Sequence, residues 1–283
     1  MIRKAVIPVA GRGTRLMPVT SVVPKALFPL VDNHNRIRSA LHIICEQVLS
    51  AGVEQIGVVV SPWQIKMLQQ YFEAVQENYE GGASVYLKYI TQPEPAGFGD
   101  AVSRASDFVG DEPFMLLLGD HICIENKTKP PCTVQVAKAF DSVLAAAMIG
   151  MQQVSINELE KVGVATGVQL RRNIYRCTDF VEKPDLSTAQ KRLATEGLPK
   201  DRFLAHCGIY IFTPEIFDCL SQVGAEAQKT GREIELADAQ SLLLKKHPDR
   251  YFLYKIAGKA YDIGTPAGYA VAQKAFRGKF KQA

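Results

Sequence analysis

The sequence predicts an α/β fold with a largely parallel sheet, and three observations support this prediction. Short apolar segments rich in β-branched residues occur at 55–60, 85–90 and 113–118. Amphipathic stretches of helical length lie between them, an alternation typical of βαβ units. A further apolar segment, Ala5–Val9, comes near the start of the chain and runs into a glycine-containing loop. We therefore expect residues 1–125 to form a mononucleotide-binding half.

The loop after the first predicted strand carries the strongest chemical signal. Residues 10–15 read Ala-Gly-Arg-Gly-Thr-Arg, and Pro24-Lys25 follows. Glycines let backbone N–H groups approach an anion without obstruction by a Cβ atom, while Arg15 and Lys25 supply positive charge. A strand-to-helix turn with surface cations would explain Gly-x-Gly alone. The combination of Thr14, Arg15 and Lys25 favours a phosphate-binding loop.

Two common nucleotide-binding motifs do not fit this loop. A dinucleotide fingerprint requires a third glycine or alanine where the chain has Leu16, and a Walker loop requires Gly-Lys-Ser/Thr, which the chain lacks. A dehydrogenase would also need an acid such as Asp32 to bind the ribose, and the missing glycine argues against that class.

The first predicted helix spans 39–50. Its apolar residues Leu41, Ile44, Cys45 and Val48 share one stripe, and Gly52 follows where a C-terminal cap is expected. This helix would return the chain from the first strand toward the second.

The second half of the chain predicts an extension of the same sheet. After a polar, proline-containing loop at 127–131 comes a helix, followed by strand-like segments at 145–154, 162–170 and 174–181. We expect some of these strands to be antiparallel. No internal repeat or low-complexity linker marks a boundary, so we predict a single domain over 1–283, with the extension over 126–283.

Composition excludes several classes of protein. The net charge is +4 without a basic tract, which disfavours nucleic acid as the bound anion. No segment approaches the ~20 apolar residues of a membrane span, and the first residues do not resemble a signal peptide, so we expect a cytoplasmic protein. The six cysteines are scattered without a C-x-x-C pair, which predicts reduced, structural thiols, and the five histidines are too dispersed to predict a histidine metal cage.

Acidic residues follow two of the predicted strands, where ligands bind in open α/β sheets. Asp120 ends the segment Leu116-Leu117-Leu118-Gly119-Asp120, and Glu182-Lys183-Pro184 follows another apolar run. Asp262 precedes the last predicted helix. Aspartates at such places can bind Mg²⁺, although helix caps and turns are equally common roles. Glu182 with Lys183 would suit a sugar phosphate, although a surface ion pair is the simpler interpretation of these residues alone.

A loop with two glycines, 92–101, completes the set of candidate sites. Gln92 begins it, and an amide carries both the donor and the acceptor needed to pair with a base edge. By itself this segment is a proline-glycine loop. Its value lies in the order of the motifs along the chain.

That order resembles the sugar-1-phosphate nucleotidyltransferases, and within them the bacterial-type UTP:glucose-1-phosphate uridylyltransferases. The resemblance covers nearly the whole chain. Beyond the motifs quoted above, it rests on Gly110-Asp111-Glu112-Pro113-Phe114, Pro131-Cys132, Lys161-Val162-Gly163-Val164 and Glu233-Ile234-Glu235-Leu236. It implies a three-layer α/β/α Rossmann-like nucleotidyltransferase fold with a mixed, mainly parallel central sheet.

The resemblance also implies a reaction and a role for each candidate residue. UTP and glucose 1-phosphate would react in the presence of Mg²⁺ to give UDP-glucose and pyrophosphate, and the enzyme would be a homo-oligomer, a dimer or a tetramer. The catalytic residues would be Arg15, Lys25, Asp120 and Lys183. The nucleotide would contact Ala10, Gly11, Gly13, Thr14, Arg15, Lys25, Gln92 and Gly97. The sugar phosphate would contact Gly163, Glu182 and Lys183, and Asp120 with Asp262 would bind the metal.

Two departures from this family keep alternatives open. His121 stands where uridylyltransferases usually carry a second aspartate, and Asn33-His34 stands in place of a Lys-Pro pair. A protonated His121 would weaken metal binding, or the position is not a direct ligand. A catalytically weak regulatory homologue is therefore one alternative. A transferase of other base or sugar specificity, such as one using dTTP, is another, because one methyl group changes binding by only ~1–3 kcal/mol.

Overall fold

The computed structural model describes residues 1–32, 35–78 and 87–278. Asn33 and His34, the second departure from the family pattern, lie outside the described residues. So do residues 85 and 86 of the predicted strand at 85–90. The strands of the described part are β1 (Lys4–Pro8), β2 (Pro29–Val31), β3 (Ile37–Ser39), β4 (Gln55–Val60), β5 (Leu87–Thr91), β6 (Phe114–Leu117), β7 (His121–Glu125), β8 (Ala147–Ser155), β9 (Gly163–Arg171), β10 (Ile174–Glu182), β11 (Arg202–Phe212), β12 (Tyr251–Lys255) and β13 (Gly258–Asp262).

The α-helices of the same residues are mostly short. They are α1 (Ala40–Leu49), α2 (Ile65–Asn78), α3 (Phe98–Ser103), α4 (Ser106–Val109), α5 (Cys132–Asp141), α6 (Leu186–Arg192), α7 (Glu215–Thr230), α8 (Leu236–Lys246) and α9 (Pro266–Gly278). None of the helices in the described ranges is long and apolar enough to cross a membrane.

One mixed sheet organises the molecule. Nine strands of the described chain join it in the order β5-β4-β1-β6-β11-β8-β12-β10-β9. The pairings give β5, β4, β1, β6, β8, β12 and β9 one direction, while β11 and β10 run the other way. The prediction of a mixed, mainly parallel sheet is confirmed.

Helices cover both faces of this sheet. One apolar core contains residues of α1, α5 and α9, such as Ile44, Val136 and Phe276. The other contains residues of α3 and α7, such as Val102 and Ile216. Each strand of the centre is therefore apolar on both faces, which explains the continuous apolar runs in the sequence. The three-layer architecture is confirmed.

The first helix illustrates how local sequence determines an element. Ser39 caps α1, because its hydroxyl oxygen accepts a hydrogen bond from the backbone N–H of His42. Leu41, Ile44 and Val48 are fully buried, as the apolar stripe predicts. Gly52, with a φ of +88°, allows the chain to turn back toward β4.

Two features of the sheet position the site. A separate antiparallel pair, β7 with β13, places Asp262 opposite His121. In β11, the register against β8 shifts between His206 and Tyr210, and Gly208 within this bulge has a φ of +83°. The bulge lies beyond the carboxyl end of β6, because Ile209 pairs with Leu117. Both features therefore meet at the edge where β6 ends and the turn to Asp120 begins.

Candidate active site

The predicted phosphate loop lies at the carboxyl end of β1. Its residues Gly11, Thr14 and Arg15 are exposed, and nothing lies within 4 Å of a Cβ built on Gly11, so its backbone is accessible. Gly13 has a φ of +63°, and a Cβ there would lie 2.9 Å from Cγ2 of Thr20. Gly13 is thus required by the fold of the loop, while Gly11 keeps its outer surface open.

A cleft of about 300 Å³ begins at this loop. It joins residues from several predicted motifs along the carboxyl ends of β1, β5 and β6. Its lining includes Ala10, Gly11, Lys25, Gln92, Gly97 and Asp120. Thus six of the residues implied to contact the nucleotide or its metal converge in one cavity, although they come from distant parts of the chain.

Three titratable side chains meet at the edge of the cleft. Nζ of Lys25 lies 2.5 Å from Oδ2 of Asp120, and Nδ1 of His121 lies 2.8 Å from Oδ1 of the same carboxylate. A Cβ built on Gly264 would lie 2.8 Å from Oδ1 of Asp262, 3.2 Å from Oδ2 of Asp120 and 3.4 Å from Nη2 of Arg15. Four residues predicted to be catalytic or metal-binding are therefore neighbours: Arg15, Lys25, Asp120 and Asp262.

The protonation of Asp120 follows from these neighbours. Burial by itself would raise its pKa, but His121 and Lys25 outweigh burial and hold the pKa of Asp120 well below its usual range. Asp120 is therefore a carboxylate at neutral pH. For His121, burial lowers the pKa, yet the carboxylates of Asp120 and Asp262 prevail and raise it overall.

The donor set at this edge fits a divalent cation. Asp120, His121 and Asp262 each offer one ligand atom, and these atoms lie within 4.8 Å of one another. Two carboxylates facing a phosphate loop are a set that suits Mg²⁺. Backbone bonds fix their positions, because the N–H of Ile263 donates to the carbonyl of Asp120 at 2.9 Å and that of Gly264 donates to Oδ1 of Asp262 at 2.6 Å.

The predicted base loop is more constrained than the sequence indicates. Gln92 is buried, and its amide nitrogen donates to Oδ2 of Asp100 at 2.7 Å and to the carbonyl of Gly97 at 3.2 Å. The amide nitrogen of Gln92, the donor in the expected pairing with a base, is thus already bonded within the protein. The amide oxygen is the atom left to accept a hydrogen bond from a base. Gly97 has a φ of +108°, and a Cβ there would lie 2.5 Å from the carbonyl oxygen of Ile234.

The residues implied to bind the sugar phosphate form a second group. Gly163 pairs with Glu182 across β9 and β10, and Nζ of Lys183 lies 3.6 Å from Oε1 of Glu182. Lys183 adopts a left-handed conformation with a φ of +49°, which is unusual for a residue with a side chain. Its side chain is mostly exposed. Strain of this kind concentrates at functional positions.

Buried Tyr210 is within electrostatic reach of both groups. Burial raises the pKa of its hydroxyl, and the carboxylates of Glu182 and Asp120 both add to this effect. The bulge of β11 just before Tyr210 connects the two groups, because a Cβ on Gly208 would lie 3.2 Å from Cβ of His121 and a Cβ on Gly163 would lie 3.1 Å from Nδ1 of His206. Tyr210 and its neighbour His206 were not among the predicted site residues.

Two other candidates have structural roles. The carboxylate of Asp32 is fully buried and pairs with Arg36 at 2.9 Å and Arg38 at 3.2 Å, so it does not face the cleft. All six cysteines lie in the described ranges, are buried and form no disulfide, as expected for reduced, structural thiols.

Comparisons with known proteins agree over almost the whole chain. The model of the family described as nucleotidyl transferase matches residues 4–278. A UTP–glucose-1-phosphate uridylyltransferase of Bacillus subtilis (strain 168) is 34% identical over 286 residues, covering 95% of this chain and 88% of the relative. The UTP–glucose-1-phosphate uridylyltransferase 2 of Staphylococcus saprophyticus is 31% identical, covering 95% and 89%. The crystal structure of a UDP-glucose pyrophosphorylase complexed with UDP-glucose has a TM-score of 0.80 at 29% identity and covers 99% of this chain and 100% of that one.

Proposed function

Because the chain belongs to the nucleotidyl transferase family, we propose that it transfers the uridylyl group of UTP to glucose 1-phosphate. A phosphate oxygen of glucose 1-phosphate forms a bond to the α-phosphorus of UTP, and the bond from that phosphorus to the bridging oxygen of the β-phosphate breaks. The products are UDP-glucose and pyrophosphate. No covalent intermediate with the protein is needed.

One observation carries this proposal. The phosphate loop and the Lys25–Asp120 pair line one cleft, Asp262 lies close to Asp120, and the bulge of β11 connects this edge with the Gly163–Glu182 group. A transfer between two phosphates requires two anion-binding groups side by side, because the reaction is catalysed mainly by positioning and by charge.

The nucleotide half of the site supplies charge and orientation. The loop from Ala10 to Arg15 offers backbone N–H groups to the triphosphate, and Lys25 and Arg15 offset the charge that develops on the departing pyrophosphate. Gln92 and Gly97 border the part of the cleft assigned to the base. Because Gln92 keeps a free acceptor oxygen, the N–H group of uracil is the partner that it suits.

We infer that Asp120 and Asp262 hold Mg²⁺. Their oxygens converge within a few ångströms, and Asp120 stays ionised because His121 and Lys25 lower its pKa. When bound, the metal offsets phosphate charge and polarises the phosphoryl group. The ammonium group of Lys25 lies beside this carboxylate, so positive charge faces the phosphates with or without the metal.

The sugar half of the site holds the attacking group. Lys183 suits the phosphate of glucose 1-phosphate, Glu182 can accept hydrogen bonds from sugar hydroxyls, and Gly163 leaves space beside it. We further infer that residues 1–283 act as one domain, because strands from both halves join one sheet. The homo-oligomer implied by the family stays a prediction.

Pyrophosphate release from the purified protein tests the proposal. Glucose 1-phosphate and Mg²⁺ are supplied with UTP, dTTP, CTP, ATP or GTP in parallel. A strong preference for UTP is the expected result. Comparable or faster release with another nucleotide would retain the reaction type but contradict the assignment of UTP.

His121 gives one specific reason to test for a catalytically weak homologue. Both oxygens of Asp120 are engaged, one by His121 and one by Lys25. If UTP binds but no nucleotide supports pyrophosphate release, the protein acts by binding, and the His121→Asp variant is the matched attempt to restore turnover.

A further inference from the structure

His206 is the exception in a buried strand. From Phe203 to Phe212, every residue of β11 is buried except His206, which keeps partial exposure. The register shift of β11 begins at this residue, with Gly208 at its centre. Bulges redirect side chains and are frequent beside active sites. The bulge therefore turns one imidazole out of the core.

The imidazole faces the group assigned to the sugar phosphate. Ala205 pairs with Val164, so the next residue of β11, His206, lies close to Gly163 of β9. A Cβ built on Gly163 would lie 2.7 Å from Oε2 of Glu182 and 3.1 Å from Nδ1 of His206. A carboxylate oxygen and a ring nitrogen thus approach the same point beside Gly163, where a side chain on residue 163 would collide with both.

Aromatic neighbours hold the ring in place, and its chemistry is that of a neutral imidazole. The ring centroid of His206 lies 6.0 Å from that of Phe180 and 5.6 Å from that of Tyr210. Burial lowers the pKa of His206 to about 4, so one nitrogen carries a proton and the other accepts at pH 7. In the described part of the chain, neither nitrogen has a hydrogen-bond partner.

We propose that His206 binds a hydroxyl group of the sugar 1-phosphate together with Glu182 and contributes to the choice of sugar. This inference rests on the proposed function. A sugar hydroxyl both donates and accepts, and the ionised carboxylate of Glu182 can only accept. His206 can donate to the same hydroxyl or bind its neighbour. A sugar that lacks this hydroxyl would leave a buried polar group unpaired, which disfavours its binding.

Binding of UDP-glucose and of UDP, measured by calorimetry, separates this role from simple packing. The two ligands differ only in the glucosyl group, so their ratio isolates contacts to the sugar. His206→Leu removes both ring nitrogens and keeps apolar volume, whereas His206→Asn keeps a polar atom near the position of Nδ1. We expect His206→Leu to weaken UDP-glucose binding about three- to tenfold, the effect of one neutral hydrogen bond, with UDP binding unchanged. His206→Asn should recover part of the loss.

His42→Leu is the matched control. His42 is likewise a histidine packed against aromatic rings, those of Tyr71 and Phe72, but it belongs to α1 and does not line the cleft. This variant should bind UDP-glucose and UDP like the wild type. If His206→Leu does not fold, His206→Met, with a more adaptable side chain, carries the same measurement.

Two results would overturn the inference. Wild-type affinity of His206→Leu or His206→Met for UDP-glucose would mean that the imidazole only packs. An equal loss for UDP and UDP-glucose would mean general damage to the site. Both presuppose that the wild-type protein binds UDP-glucose; if it does not, the proposed function fails first, and the inference fails with it.

Discussion

Acidification should destabilise the fold through His206. Burial lowers the pKa of this imidazole from 6.5 to about 4. In the unfolded chain the imidazole recovers its ordinary pKa, so as the pH falls the unfolded state binds the proton first. The stability present above pH 6.5 is therefore lost progressively between about pH 6.5 and pH 4.

The magnitude follows from the two pKa values. A difference of 2.5 units corresponds to about 3 kcal/mol once the pH is below both values, at 1.36 kcal/mol for each unit. At pH 5.0 the unfolded state is largely protonated and the folded state largely neutral, so the loss relative to pH 7.5 is about 2 kcal/mol. This is a substantial part of the stability of an ordinary domain.

Urea unfolding of the wild type and of His206→Asn at pH 7.5 and pH 5.0 measures this term. Other groups titrate equally in both proteins. The difference in unfolding free energy between the wild type and the variant, compared at the two pH values, therefore isolates His206. We expect the wild type to lose about 2 kcal/mol more than the variant between the two pH values. Between pH 7.5 and 8.5 the difference should stay constant. A difference that is also constant down to pH 5.0 would refute the argument that burial keeps this ring neutral.

Three further predictions concern charge and close packing. Asp120→Asn should lower kcat about 10²–10³-fold while the Kd for UTP changes little, because the lost charge acts mainly on the reacting phosphates; wild-type kcat with unchanged Mg²⁺ dependence would exclude a metal at this residue. Gly97→Ala should raise the KM for UTP and lower the unfolding free energy by about 1–3 kcal/mol, because the new Cβ collides with the backbone of Ile234. Gly52→Ala is the control: Gly52 also has a positive φ but lies in open space, so this variant should leave the KM for UTP unaltered. Asp32→Asn should lower the unfolding free energy by about 3 kcal/mol with normal KM values, because buried Arg38 loses one of its carboxylate partners; equal stability in urea would contradict this account.

Elements with a strong local signal could be predicted from the sequence. The strand Gln55–Val60 has the predicted bounds, and the helix Ala40–Leu49 lies within the predicted range, because buried runs, an apolar stripe and a capping serine are all local features. The predicted strand at 113–118 is shorter, spanning Phe114–Leu117, because Leu118 already belongs to the turn that leads to Asp120.

Long-range pairings had no such signal. The strand His121–Glu125 is short and only partly buried, and its partner, Gly258–Asp262, lies far along the chain. This pairing brings Asp262 to Asp120, a proximity that the sequence alone could only obtain from family resemblance. The internal hydrogen bonds of Gln92 are equally invisible in sequence, because Asp100 is one of many polar residues nearby.

His206 was missed for a related reason. A single histidine in the apolar run Phe203–Phe212 is more often a core residue than a binding residue. The available signal was Gly208, two residues later, since an isolated glycine inside a strand pattern suggests a bulge. The structure was needed to show the register shift and the approach of the imidazole to Gly163.

Gly208 connects the two halves of the proposed reaction. A Cβ at this position would lie 3.2 Å from Cβ and Cγ of His121, and the carbonyl of Gly208 accepts a hydrogen bond from the N–H of Leu118 at 3.0 Å. The bulge therefore packs against the turn that presents Asp120, and the same bulge directs His206 toward Gly163. One irregular stretch of β11 thus contacts both the turn that carries Asp120 and the Gly163–Glu182 pair. It also accommodates His121, one of the two departures from the family pattern, because Gly208 has no side chain to crowd it.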